Sequence, residues 1–407
     1  MDDVPAVTLD DIRAARELQD GVVVETPLEE SRWLSGRVGA RVFLKCENLQ
    51  RTGSFKVRGA VARVSRLSAE ERARGVVAAS AGNHAQGVTL AASHLGIKAT
   101  VFMPEGAPIP KEKATRGYGA DVRFVGHTVD EALVAAREYA DETGACMIHP
   151  FDHPDIVAGQ GTCGLEILEQ CPEVGTVVVP LGGGGLLAGI AIAVKSIRPQ
   201  ARVIGVQAER AAAYPASLAA GAPTALTAMS TMADGIAVGC PGGIPFAAIQ
   251  RYVDEVRTVS EESMSTALLM VLERAKLVVE PAGAVGVAAL LDDPDAFRGP
   301  GPTAVVLSGG NIDPLLLMGV IRHGMAAAGR YLSFRVRISD RPGALAQLLV
   351  LLADTGANVL DVVHERTSAR LHLDEVEVAL QVETRGAEHR RRVLDRLHGA
   401  GYPVHVE

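Results

Sequence analysis

Lys56 is the residue in this chain best placed to do chemistry. It stands in Ser54-Phe55-Lys56-Val57-Arg58-Gly59, after an apolar-alternating strand at residues 41–46 and a polar turn with Gly53. Ser54 is a good N-cap for a helix that carries Phe55, Val57, Ala60, Val61 and Val64. Lys56 then falls in the first turn, where backbone N–H groups and the positive end of the helix dipole disfavour an ammonium. A neutral lysine amine is a nucleophile and forms Schiff bases. The plain alternative is a solvated lysine at a helix start.

Two loops suit anions. Gly182, Gly183, Gly184 and Gly185 lie between a buried strand and a helix that begins with Leu186. Consecutive glycines let N–H groups turn onto one anion without side-chain clashes, which suits a phosphate monoester. The six-residue glycine spacing of a dinucleotide fingerprint is not met. Ser80-Ala81-Gly82-Asn83-His84 also follows a strand and opens a helix, a second candidate cradle. Ser308 closes the last strand of its lobe, and Glu280 precedes Pro281 at a helix start, where a carboxylate complements the dipole. Each also has an ordinary reading: a flexible loop, a Ser-Gly-Gly turn, a first-turn carboxylate. Arg58 reads as an i+2 neighbour of Lys56 that points away from it.

These groups need a frame. Thr8 opens a capping box for a helix to residue 18. Apolar strands at residues 76–79, 99–103, 121–125, 176–180, 203–206 and 304–307 alternate with helical stretches at 83–95, 111–116, 129–142, 164–170, 186–196, 260–276 and 281–291. Such continuous apolar strands imply parallel sheets covered on both faces, read as two α/β lobes sharing a cleft. Beyond Gly329 and Arg330, Leu332, Phe334, Val336 and Ile338 alternate with polar residues. A turn at Asp340, helices at 344–354 and 389–397, and strands at 358–364, 376–382 and 403–406 complete a βαββαβ, ferredoxin-like order.

Composition narrows the partners. A chain of 407 residues exceeds one compact core, so two or three domains are expected, and 48% hydrophobic residues can fill them. The net charge of −8, without a basic stripe, argues against nucleic acid and anionic membrane; Arg390-Arg391-Arg392 reads as a solvated helix face. The apolar run at 186–194 is too short to span a bilayer, and Met1-Asp2-Asp3 has neither a basic nor an apolar leader region. Five cysteines without paired metal spacing read as reduced thiols of a cytoplasmic protein, with no metal.

The lysine motif, together with Ser80-Ala81-Gly82-Asn83-His84-Ala85-Gln86-Gly87, Gly182-Gly183-Gly184-Gly185-Leu186 and Ser308-Gly309-Gly310-Asn311 in that order, resembles the fold-type II enzymes that use pyridoxal 5′-phosphate. Within that group the chain is most similar to the threonine dehydratases (threonine deaminases), over about residues 5–328. The resemblance implies a two-lobed, tryptophan synthase β-like α/β catalytic domain at 1–328, its smaller lobe near 50–155, and an ACT-like ferredoxin domain at 329–407. It implies that Lys56 binds the cofactor as a Schiff base and moves the Cα proton. Phe55, Asn83, Gly182, Gly183, Gly184, Gly185, Leu186, Glu280 and Ser308 would surround the cofactor. Ser80, Ala81, Gly82, Asn83 and His84 would bind the substrate, with Asn83 on the phenolic oxygen and Ser308 on the pyridine nitrogen. His84 is tempting as a base, with packing an equal alternative.

The implied reaction takes L-threonine to 2-oxobutanoate and ammonia, and L-serine to pyruvate. The pathway stays open between isoleucine biosynthesis and threonine breakdown. The tail resembles ACT modules, so Asp340, Leu345 and Asn358 are candidate amino-acid effector contacts, and a homo-oligomer, tetramer or dimer, is implied. Serine racemases and threonine synthases of the same fold, or a non-catalytic amino-acid sensor, are the alternatives. In the racemases a serine precedes the loop glycine and two carboxylates help hold a divalent cation; here those positions are Ala81, Gln207 and Ala213.

Overall fold

The computed structural model describes residues 6–366, 372 and 374–406; Met1, Asp2 and Asp3, and the leader expectation drawn from them, lie outside the described residues. The chain divides into two compact units, Met1–Leu317 and Met318–Glu407.

In the first unit the strands run β1 (Leu28–Glu30), β2 (Val42–Lys45), β3 (Val76–Ala79), β4 (Ala99–Met103), β5 (Asp121–Phe124), β6 (Cys146–Met147), β7 (Thr176–Pro180), β8 (Arg202–Ala208), β9 (Glu255–Val259) and β10 (Thr303–Val306). They form two sheets, ordered β1-β2-β10-β7-β8-β9 and β5-β4-β3-β6. Every residue of β3, β4, β7 and β10 is buried, as a parallel sheet covered on both faces requires. All pairings are parallel except β1 with β2. That antiparallel edge escaped the sequence reading because Leu28-Glu29-Glu30 is short and carries no apolar alternation. The order inserts β10 between β2 and β7, so the ends of strands far apart in sequence meet at one place.

Two helical expectations change. Residues 164–170 are only the end of a helix that spans Pro154–Gln170. Its glycines are where backbones touch. A Cβ on Gly159 would lie 2.6 Å from the Arg58 carbonyl oxygen, and one on Gly161 would lie 2.9 Å from that of Gly189. This helix therefore packs at backbone contact between the helices Lys56–Ser65 and Gly185–Ile197. The stretch expected as one helix at 260–276 is instead α-helical over Glu261–Met270 and π-helical over Val271–Ala275. It ends at Lys276 with a left-handed φ of 61°.

In the second unit β11 (Tyr331–Ser339), β12 (Asn358–Glu365), β13 (Glu375–Glu383) and β14 (Val404–Val406) form an antiparallel sheet ordered β12-β13-β11-β14. Leu332, Phe334, Val336 and Ile338 face its core with Leu348, Leu352, Val393 and Leu397 from the helices Ala344–Thr355 and Ala387–Gly399. Among the described residues no helix is long and apolar enough to cross a membrane.

Candidate active site

The residues that follow β3, β7 and β10 line one cleft of about 980 Å³ in the first unit. Phe55, Lys56, Ser80, Ala81, Gly82, Asn83, His84, Gly182, Gly183, Gly184, Gly185, Leu186, Glu280 and Ser308 all border it. The topology thus brings together every catalytic, cofactor and substrate residue expected from the sequence.

Lys56 is the first residue of its helix, but Ser54 does not cap it. Ser54 is extended and bridges to Gly309 as an isolated β pair, and its hydroxyl is buried without a partner. The helix start is instead anchored by the Phe55 N–H, which donates to the Ser308 carbonyl at 3.1 Å. Strand pairing to the segment after β10 displaces capping here. The Lys56 ammonium donates to the Pro150 carbonyl at 3.0 Å and lies 5.2 Å from the Phe55 ring centre. Burial lowers its pKa to about 8, against the opposing pull of Glu280. The neutral amine expected from the helix dipole is therefore favoured chiefly by desolvation.

The glycine loop joins β7 to the helix Gly185–Ile197, with Gly184 at the N-cap in a left-handed conformation, φ 101°. A Cβ on Gly184 would overlap the Tyr214 hydroxyl, and one on Gly183 would overlap the Phe151 ring. Fully buried Tyr214 donates to the Gly183 carbonyl at 3.2 Å, fixing the loop. Ser308 is 3% exposed at the end of β10.

Asn83 opens the helix Asn83–His94. Its amide donates to Glu280 Oε1 at 2.7 Å, and its carbonyl accepts from Asn311 at 2.8 Å. Glu280 is the N-cap of the helix Pro281–Asp292 and is almost wholly buried. Burial first, then Asp234, raises its pKa to about 7, while Lys111, the Asn83 bond and Lys56 pull the other way. A simple first-turn carboxylate would be solvated; this one faces the cleft. Two loop N–H groups are already used: Ser80 donates to the Phe102 carbonyl at 3.1 Å and Gly82 to the Ser80 hydroxyl at 3.1 Å. Asn83, His84 and Ala85, in the first helical turn, have no intrahelical acceptor, so their N–H groups are open to an anion.

His84 Nε2 donates to the Ile148 carbonyl at 2.8 Å. Burial, then the nearby Lys56 charge, lowers its pKa to about 3, so the ring is neutral and tied to a main-chain carbonyl. That bond and the low basicity favour the packing alternative.

Arg58 does point away from Lys56 and the cleft, but into a buried ion-pair cluster rather than to an idle position. It is fully buried and clamps two carboxylates: Glu47 at 2.7 and 2.8 Å and Glu166 at 2.6 and 2.9 Å. Fully buried Lys45 adds a bond to Glu166 at 2.6 Å. Burial opposes the Glu166 charge, but Arg58 and Lys45 hold its carboxyl below the usual range. Two cations and two carboxylates thus form a closed cluster behind the Lys56 helix.

Gln207 is spent internally, its Oε1 accepting the Tyr214 N–H at 3.0 Å and its Nε2 donating to the Ala211 carbonyl at 3.4 Å. The candidate effector residues lie in the second unit. The Asp340 N–H donates to the Asp374 carbonyl at 2.7 Å, Leu345 lies in the first turn of its helix, and Asn358 begins β12. Sequence reading missed Pro150, Phe151, Lys111 and Asp234 at the cleft, and Tyr214 behind the glycine loop. Of these only Pro150 and Phe151 left a signal, as a His149-Pro150-Phe151-Asp152 break in the strand–helix rhythm.

The family described as "Pyridoxal-phosphate dependent enzyme" matches residues 20–309. The chain is 46% identical to the L-threonine ammonia-lyase of Thermotoga maritima over 400 residues, 98% of this chain and 99% of that one. Among solved structures it is similar to the processed form of threonine deaminase isoform 2 from Solanum lycopersicum, with 39% identity and TM-score 0.75, covering 77% of this chain and 92% of that one. It is also similar to maize serine racemase, with 35% identity and TM-score 0.74, covering 77% and 97%.

Proposed function

The chain belongs to the pyridoxal-phosphate dependent enzymes, and from that premise we infer that it is an L-threonine ammonia-lyase, releasing 2-oxobutanoate and ammonia. One observation carries the reading: a single cleft holds an amine of lowered pKa, a glycine-lined helix start and the Ser308 hydroxyl. The residues fit the cofactor: the glycine loop borders the cleft at a helix start, and Gly183 and Gly184 stand so close to the Phe151 ring and the Tyr214 hydroxyl that side chains there would push the loop out of place. Pyridoxal 5′-phosphate, when bound, supplies an electron sink for charge at the substrate Cα.

The protein supplies position and proton transfer. The glycine N–H groups and the helix start suit a phosphate. Lys56 would hold the cofactor, and its amine, with a lowered pKa, is the group that would take the Cα proton. Ser308, a neutral hydroxyl, is assigned to the pyridine nitrogen, Asn83 to the phenolic oxygen and Glu280 to the ring side. A neutral hydroxyl there would stabilise a protonated ring nitrogen less than a carboxylate would, which would favour loss of the β-hydroxyl over transamination. The loop from Ser80 to His84 receives the carboxylate through the N–H groups at its helix start. L-Serine, one methyl smaller, follows as a second substrate yielding pyruvate.

The similarity to a serine racemase does not extend to racemisation. Ala81 borders the cleft with a methyl group that can neither give nor take a proton, so Lys56 is left as the one donor in that pair of positions. For the second unit we assign an ACT-like, amino-acid-binding regulatory role, supported by its strand order and by the candidate contacts Asp340, Leu345 and Asn358. A homo-oligomer in the cytoplasm completes the reading, with the pathway open between isoleucine synthesis and threonine breakdown.

Purified protein loaded with cofactor is expected to release 2-oxobutanoate from L-threonine. Lys56→Ala is expected to lose both turnover and the bound-cofactor absorbance while remaining folded. Turnover retained in that variant would overturn the role given to Lys56.

A further inference from the structure

Lys111 lies where no motif placed it. It sits on the helix Ile109–Gly117, in the connection between β4 and β5, and its side chain is 11% exposed. Its ammonium is 2.6 Å from Asp234 Oδ2. Asp234 begins the turn Asp234–Ile236, which belongs to the other side of the cleft. That turn touches two parts of the site. A Cβ on Gly182 would lie 2.9 Å from Ile236, and one on Gly235 would lie 3.2 Å from Glu280 Oε1. On its own side, the Lys111 ammonium lies 3.9 Å from where a Cβ on Gly82 would stand, directly over the loop that ends in the Asn83 and His84 N–H groups. The pair therefore crosses the cleft at its rim, with the anion-receiving loop beneath one end and the glycine loop beneath the other.

The two partners are unequal. Asp234 is 56% exposed, so water competes for its carboxylate and the pair holds weakly. The lysine is the more enclosed member, and an ammonium there is best satisfied by an anion that is itself enclosed. A carboxylate seated on the Asn83 and His84 N–H groups is such an anion.

We propose that Lys111 is a specificity-determining residue that reads the substrate α-carboxylate, exchanging its ion pair with Asp234 for one with the substrate. The inference rests on the ammonia-lyase reading for its substrate but not for its geometry. Without substrate, Lys111 bonds Asp234 across the rim. With substrate, it bonds the carboxylate from above while the loop N–H groups hold it from below. The exchange releases Asp234, whose charge already acts on buried Glu280 in the sense opposite to that of Lys111. No bond is made or broken; only ion pairs change.

Two arms test this. In the first, L-threonine and L-threonine amide are compared as substrates. Lys111→Met is expected to lower kcat/KM for threonine by about 10- to 100-fold, mostly through KM, while the amide falls by no more than about 3-fold. Lys111→Arg should keep the acid-over-amide preference, and Asp234→Asn should lower KM for threonine by freeing the lysine. An acid-over-amide ratio unchanged in Lys111→Met overturns the proposal. In the second arm, 2-hydroxybutyrate, a carboxylate without the reacting amine, is titrated calorimetrically into the cofactor-loaded protein. Weaker binding in Lys111→Met and tighter binding in Asp234→Asn support the exchange; equal binding in all three proteins overturns it. This arm requires no turnover, so failure of the ammonia-lyase reading shows itself separately, as absence of 2-oxobutanoate in the parent enzyme.

Discussion

Replacing Arg58 by leucine removes the centre of the buried charge cluster behind the Lys56 helix. The guanidinium makes five hydrogen bonds, two to Glu47, two to Glu166 and one to Thr162 Oγ1 at 3.1 Å. Without it, Lys45 alone faces two carboxylates, and the side chain of Glu47 is 0% exposed. Removing one partner from a buried ion pair costs about 3–5 kcal/mol, because an uncompensated charge stays in a poorly solvating interior. Arg58→Leu should lower the unfolding free energy of the full-length protein by that amount, read as a shift in urea midpoint.

The pH dependence has a definite sign. In the parent, the depressed Glu166 carboxyl adds stability above its unfolded pKa, which is lost as pH falls through the lower folded value. In Arg58→Leu the guanidinium is gone and burial dominates, so protonation of the carboxyl becomes favourable in the folded state. The deficit should therefore narrow as pH falls from neutrality toward the usual carboxylate range. Adding Glu47→Gln restores charge balance with Lys45 and Glu166, and should recover at least about 1 kcal/mol relative to the sum of the single changes. A deficit below about 1 kcal/mol, or one independent of pH, would refute the view that the cluster is a closed, charge-balanced unit.

Gly184→Ala should weaken cofactor retention at least about tenfold, since a left-handed alanine costs about 1–2 kcal/mol and its methyl meets the Tyr214 hydroxyl; titration of the cofactor-free protein with pyridoxal 5′-phosphate measures this. Truncation after Gly329 should leave turnover and abolish any amino-acid effect on half-saturation, an effect expected to be several-fold from a coupling of about 1–3 kcal/mol; an unchanged response in the shortened chain would remove the tail as the regulatory site. Chiral analysis of L-serine reactions should find pyruvate without D-serine, and D-serine formed at a comparable rate would refute the argument from Ala81.

The groups that carry the chemistry were legible in the sequence because each is a contiguous strand–loop–helix passage. Lys56, the glycines before Leu186 and the loop opening at Ser80 announce themselves by residue type and local order, and elementary backbone physics says what such passages can bind. The alternation in β11 and β13 was legible for the same reason: a period of two puts Leu332 and Val382 on a buried face whatever lies opposite. Tertiary structure decided what local order cannot encode. Ser54 is drawn into pairing with Gly309 because β10 inserts between β2 and β7, so a residue with every local mark of a cap becomes part of a ladder. Arg58 finds Glu47 and Glu166 because glycines in the helix Pro154–Gln170 let backbones touch, although those same glycines argue against a helix when read singly. Lys111 and Asp234 meet across the cleft only once both sheets are folded. In each case the deciding contact lies between segments far apart along the chain, where its energy depends on sheet order and enclosure rather than on neighbours in sequence.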